Sequence, residues 1–186
     1  MSFTSRRLPH WYPDHTPLFV TFRLRGTLPR NRFPPPRSTS GQAFVWMDRF
    51  LDDARYGPTW LKDERVAGLV RDALHYSSER QQLFDLHAWV IMPNHVHALL
   101  TPIAHPSKLL QSIKGFSARE ANSLLLRTGE PFWQEESYDH WVREDREFQS
   151  IERYIEENPV RAGLARSAEE YRWSSAYAGS KAGMAG

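Results

Sequence analysis

The stretch LFDLHAWVIMPNHVHALLT, Leu83 to Thr101, limits the possible folds more than any other part of the chain. It is rich in β-formers and is divided by Met92-Pro93-Asn94, a pattern that predicts two antiparallel strands joined by a tight turn. Side chains alternate along a strand, so His95 and His97 share one face and Val96 enters the opposite layer. Neighbouring imidazoles on one face can bind a metal ion, but two are too few to hold it well, and a third ligand must come from another element. The spacing alone equally fits a hydrogen-bonded core pair or a surface pair.

The rest of the chain supplies what such a hairpin needs to pack against. Leu18 to Arg25 alternates as LFVTFRLR, a strand with Phe19, Thr21, Arg23 and Arg25 on one face. Residues 26–41 contain Pro29, Pro34, Pro35 and Pro36 and read as a loop. Phe44, Met47, Phe50, Leu51 and Ala54 follow helical spacing within Gln42 to Tyr56, and Gly57-Pro58 ends that helix. Thr59 is the expected cap of a second helix reaching Tyr76, with Leu61, Val66, Leu69, Val70, Ala73 and Leu74 as its apolar stripe. A third helix is expected from Ser107 to about Leu126, interrupted at Lys114-Gly115-Phe116. An extended piece over Phe132–Val142 and a last helix over Glu144–Glu157, stopped by Asn158-Pro159, follow. The order β–α(α)–β–β–α–β–α predicts an α+β fold, a ferredoxin-like antiparallel sheet with helices packed mainly on one face. Residues 1–164 form the expected domain, and 165–186 the C-terminal tail.

Composition narrows the function classes. With 186 residues, 40% hydrophobic and 25% charged, the chain has an ordinary globular balance. The absence of Cys excludes disulfides, thiolate metal sites and a cysteine nucleophile. No apolar run suggests a membrane span and no apolar region follows the early Arg pair, so a cytoplasmic address without a membrane partner is expected. The formal net charge of +2 hides segregation: residues 1–40 carry seven Arg against one Asp, and residues 106–128 four basic groups against one Glu. Such segments suit a polyanionic partner, because Lys and Arg displace the counterions of phosphates.

A second constellation, Tyr154-Ile155-Glu156-Glu157-Asn158, lies at the end of the last helix. Tyr154 and Asn158 are four apart, so the hydroxyl and the amide oxygen share a helical face and can converge on one point. Tyr138, with His140 nearby, is the rival nucleophile, read as structural or supporting.

The chain resembles the single-tyrosine HUH transposases, in particular the REP-associated tyrosine transposases. The likeness rests on RRLPH, PLFVTFRLRGTLP, HAWVIMPNHVHALL, SIKGFSAREAN, FWQEESYDHWVR and YIEENPVRAGL, which occur in this order over most of the chain. It implies an HUH-type fold in which His95 and His97 bind a divalent metal, Mg2+ or Mn2+, and Tyr154 attacks a DNA phosphodiester to form a 5′-phosphotyrosine link. Insertion-sequence relatives carry Gln four residues after the Tyr; Asn158, one methylene shorter, stands there and is the expected further ligand. The implied enzyme is a metal-dependent endonuclease and strand-transferase that cleaves and rejoins single-stranded or hairpin DNA, a monomer ahead of a dimer. A catalytically silent hairpin-binding regulator and a metal-dependent hydrolase unrelated to DNA are the rival readings. Arg23, Arg25, Lys114 and Arg119 are the expected phosphate contacts, and Trp133 and Trp141 could stack on unpaired bases.

Overall fold

A computed structural model describes residues 16–28 and 40–181. Strand β1 (Leu18–Arg23), strand β2 (Phe84–Ile91), strand β3 (His95–Pro102) and strand β4 (Tyr138–Trp141) form one antiparallel sheet in the order β2-β3-β1-β4. The tight turn expected at Met92-Pro93-Asn94 joins β2 to β3, and Met92 N–H donates to His95 C=O at 2.9 Å to close it. β1 lies at the centre of the sheet beside β3, with Thr21 opposite His97 and Arg23 opposite His95.

Alternation sorts the strands into two layers. Leu18, Val20 and Phe22 of β1 join Val96, Ala98 and Leu100 of β3 in the larger core, covered by α2 (Glu64–His75) and α3 (Pro106–Leu124). Phe19, Leu99, Ala88 and Val90 face the other way, toward α1 (Ser40–Asp52) and α4 (Asp145–Arg161), which supply Phe44 and Ile155. The expected α+β sheet is therefore present, and the placement of helices mainly on one face gains a second, thinner layer. That layer holds the polar residues described below.

Several boundaries differ from the sequence reading for local reasons. The second helix is capped by Asp63, whose carboxylate accepts from Arg65 N–H, and Thr59 makes no side-chain cap. α3 starts from a His105 cap with Pro106 in the first turn, so Ser107 is not its cap. It also runs unbroken through Lys114-Gly115-Phe116; Gly115 is exposed and its lost helix propensity is outweighed by buried Ile113 and Ser117 on either side. α4 continues past Asn158-Pro159 to Arg161 because one lost N–H in the last turn is tolerated. Gly163, at φ +70°, stops it: Leu164 N–H reaches Pro159 C=O at 2.8 Å and Gly163 N–H reaches Val160 C=O at 3.0 Å, the paired bonds of a Schellman motif.

Beyond residue 164 the chain returns to the free edge of β2. Val90 bridges Ser174, Ile91 N–H donates to Trp173 C=O at 2.8 Å, and Ser175 N–H donates to Trp89 C=O at 2.9 Å. Trp173 is buried in the larger core. Among the described residues, no helix is long and apolar enough to cross a membrane. The Arg- and Pro-rich stretch through Arg37 and the RRLPH segment lie outside the described residues.

Candidate active site

Four elements meet on the α1/α4 side of the sheet. β3 brings His95 and His97, both fully buried, and their Nε2 atoms face each other at 3.1 Å. Each ring is held from behind. His95 Nδ1 lies 2.7 Å from Asn94 Oδ1, and His97 Nδ1 lies 2.7 Å from Thr21 Oγ1 of β1. Nδ1–H donation to those oxygens leaves both Nε2 lone pairs directed at the shared space, as metal-binding imidazoles require. Asn94 also donates its amide to Leu51 C=O at 3.0 Å, tying the histidine strand to the end of α1.

α1 contributes what the sequence reading missed. Asp48 is buried, with Oδ1 3.1 Å from His97 Nε2 and 3.8 Å from His95 Nε2. One ligand atom from each of Asp48, His95 and His97 lies within 4.8 Å of the others, a set able to hold a metal ion. The signal was present: Phe44, Asp48 and Leu51 fall at helical spacing, so an acid stands on the buried stripe. Asp52, one turn on, places Oδ1 3.8 Å from His95 Nε2.

α4 delivers the tyrosine. The Tyr154 hydroxyl donates a hydrogen bond to Asp48 Oδ2, and its ring packs near His97, Phe19 and Phe44. The Arg161 guanidinium lies over that ring at 4.0 Å and donates to Tyr154 C=O at 3.1 Å. Asn158, one turn after Tyr154, is fully buried, and neither its Oδ1 nor its Nδ2 has a hydrogen-bond partner.

The electrostatics follow from this crowding. Burial pushes the Asp48 carboxyl up, but the His97 imidazole, then His95 and Arg161, bring it below the usual carboxylate range. Burial and the Asp48 charge raise Asp52 to about 7. Burial, then His97, lowers His95 to about 3 against the pull of Asp48, so it is a neutral ligand at physiological pH. The donor set is two imidazoles and a carboxylate oxygen without a hydrogen-bond partner, which can hold a metal ion.

The remaining sequence candidates lie in several places. Arg23 shares the sheet face of the histidines, is half-buried and donates to Thr27 Oγ1 at 3.3 Å. Lys114 donates to Gln134 C=O at 2.7 Å, Glu135 C=O at 2.9 Å and Ser137 Oγ at 3.3 Å. Arg25 is exposed after β1, and Arg119 is exposed on α3, paired with Glu120 at 2.9 Å. Tyr138 shares the site's sheet face but stacks its ring on Phe44 at 4.5 Å, while His140 pairs with Glu147 at 2.7 Å. Trp133 is a core residue, donating to Ser117 Oγ at 3.0 Å, and Trp141 packs against the same core.

The fold is that of a tyrosine transposase. The structure of the REP-associated tyrosine transposase bound to a REP hairpin superimposes with a TM-score of 0.63, at 18% identity, over 98% of this chain and 89% of that one. The chain belongs to the IS200-like transposase family, whose profile matches residues 54–158. A chain from Deinococcus radiodurans R1 assigned as a transposase gives a TM-score of 0.44 at 18% identity, over 83% of this chain and 97% of that one. No curated protein matches the sequence significantly.

Proposed function

We propose that this transposase cleaves and rejoins single-stranded or hairpin DNA through a covalent 5′-phosphotyrosine on Tyr154, acting on repetitive palindromes as its resemblance to REP-associated enzymes suggests. The observation that carries the reading is the convergence within one chain of the Tyr154 hydroxyl, the Asp48 carboxylate and the two imidazole Nε2 atoms. His95 and His97, with Asp48 Oδ1 and with the unpartnered amide of Asn158 as a further ligand, would hold Mg2+ or Mn2+. Such a cation supplies charge stabilisation for the scissile phosphate and the leaving 3′ oxygen. A phenol titrates near pH 10, so the protein must orient and activate Tyr154 for attack. α4 does the orienting, because burial of Ile155 fixes the helix on the sheet and sends Tyr154 toward α1. The covalent link conserves the energy of the phosphodiester, so a second 3′ hydroxyl can reverse the attack without ATP.

The test is a denaturing gel of the protein with end-labelled hairpin DNA and Mn2+. A protein-linked 5′ end should form with the wild type, vanish in EDTA and vanish in Tyr154→Phe, which removes one oxygen and little volume. Undiminished cleavage in EDTA, or an adduct surviving in Tyr154→Phe, would refute the reading.

A further inference from the structure

We propose that Asp48 is a catalytic residue of this reaction: Oδ2 holds the Tyr154 hydroxyl and takes its proton as the hydroxyl attacks phosphorus. The inference rests on Tyr154 being the nucleophile and adds a residue that lies on α1, before the segment matched by the family profile. The two oxygens of Asp48 are used differently. Oδ1 faces the imidazole pair, and Oδ2 accepts from the phenol 106 positions away in sequence. A carboxylate that is only 3% exposed costs free energy to bury unless its partners compensate, and those partners are the nucleophile and the imidazoles. Asp52, on the next turn, has no such contact with the phenol; its Oδ1 is without a hydrogen-bond partner.

The Tyr154 oxygen forms its bond to phosphorus, the bond from phosphorus to the 3′ oxygen breaks, and the phenolic proton moves to Asp48 Oδ2. The departing 3′ oxygen takes a proton from water. In rejoining, an incoming 3′ hydroxyl attacks phosphorus and gives its proton to water, and the released Tyr154 oxygen recovers the proton from Asp48.

Asp48→Asn keeps shape and an oxygen but cannot accept the proton, so it separates the chemistry from packing. In the full chain at saturating Mn2+, it should bind hairpin DNA within severalfold of wild type and form the Tyr154 adduct at least ~10²-fold more slowly, the usual scale of general base loss. Asp48→Glu, which keeps the carboxylate, should recover part of that rate. A second readout needs neither DNA nor metal. In the metal-free wild type the Tyr154 hydroxyl proton should appear by NMR as a slowly exchanging downfield resonance, absent in Tyr154→Phe and in Asp48→Ala. Wild-type adduct on Tyr154 together with a near-wild-type rate in Asp48→Asn would overturn the inference and leave the proposed function standing. So would a hydroxyl resonance unchanged in Asp48→Ala, which remains readable even if Asp48→Asn folds poorly. Failure of the wild type to form any adduct on Tyr154 would instead overturn the underlying reading.

Discussion

At the residue scale, the site is a set of buried groups with opposed acid–base preferences, and pH should expose the opposition. His95 is held to about 3 in the fold, so below its ordinary range the unfolded chain binds a proton that the folded chain refuses. Its contribution to stability is therefore lost as pH falls from about 6.5 toward that value. Asp52 behaves in the reverse sense: raised to about 7, it binds a proton more readily folded than unfolded, so its contribution grows as pH falls from there toward the ordinary carboxyl range. Urea midpoints measured in EDTA at pH 7.5 and 4.5 should show a steeper acid loss in Asp52→Asn than in wild type, and a smaller one in His95→Asn. Equal slopes in all three would mean that neither group carries the shift. Tyr138 belongs at this scale too. Its ring stacks on Phe44 and its hydroxyl is pushed up by burial, so Tyr138→Phe should keep adduct formation, with the labelled peptide still mapping to Tyr154.

At the element scale, the question is how α1 is held where Asp48 can reach across. Gly57, at φ +74°, follows α1, and a Cβ there would meet Gly26 C=O oxygen at 2.4 Å, so two loop backbones are in contact. Gly57→Ala adds both the left-handed strain and that clash, a loss of roughly 1–3 kcal/mol. Because Gly26 follows β1 and Gly57 follows α1, the melting temperature and the adduct rate should fall together. An unchanged melting temperature would show that the loops separate freely. Local periodicity made much of this layer readable beforehand. Alternation put His95 and His97 on one face, and the four-residue spacing put Tyr154 and Asn158 on another, because strands and helices repeat over a few residues. Asp48 is not legible in the sequence, because a lone acid on an otherwise apolar stripe has no meaning until tertiary packing shows what it faces. The extent of α4 differs from the sequence reading for a related reason: Asn158-Pro159 reads as a stop, but Gly163 and the Schellman bonds govern where the helix ends.

At the scale of the whole molecule, Tyr154 meets Asp48 and the imidazoles of its own chain. A mixture of Tyr154→Phe and His97→Ala proteins should thus form no adduct beyond the sum of the two alone. Activity restored on mixing would mean that tyrosine helices are exchanged between copies. Charge should also divide by position. Removal of Arg25 or Arg119, whose side chains are exposed, should each lower the log–log salt slope of hairpin binding by about one unit if they meet phosphate. Lys114→Met should leave the slope unchanged, since that ammonium is committed to Gln134, Glu135 and Ser137, and should act through the segment that leads into β4.

The distances along the chain between site residues have a temporal consequence. Thr21 meets His97 across 76 positions and Tyr154 meets Asp48 across 106, so no contiguous fragment shorter than the greater part of the protein contains the site. Contacts this remote are the slow ones to form, because closure of large loops precedes any return from packing. On the ribosome, the histidine hairpin emerges well before the tyrosine, so a chain that stops short of α4 lacks the complete site. The strand breakage proposed above would thereby be confined to molecules that have completed synthesis and folding.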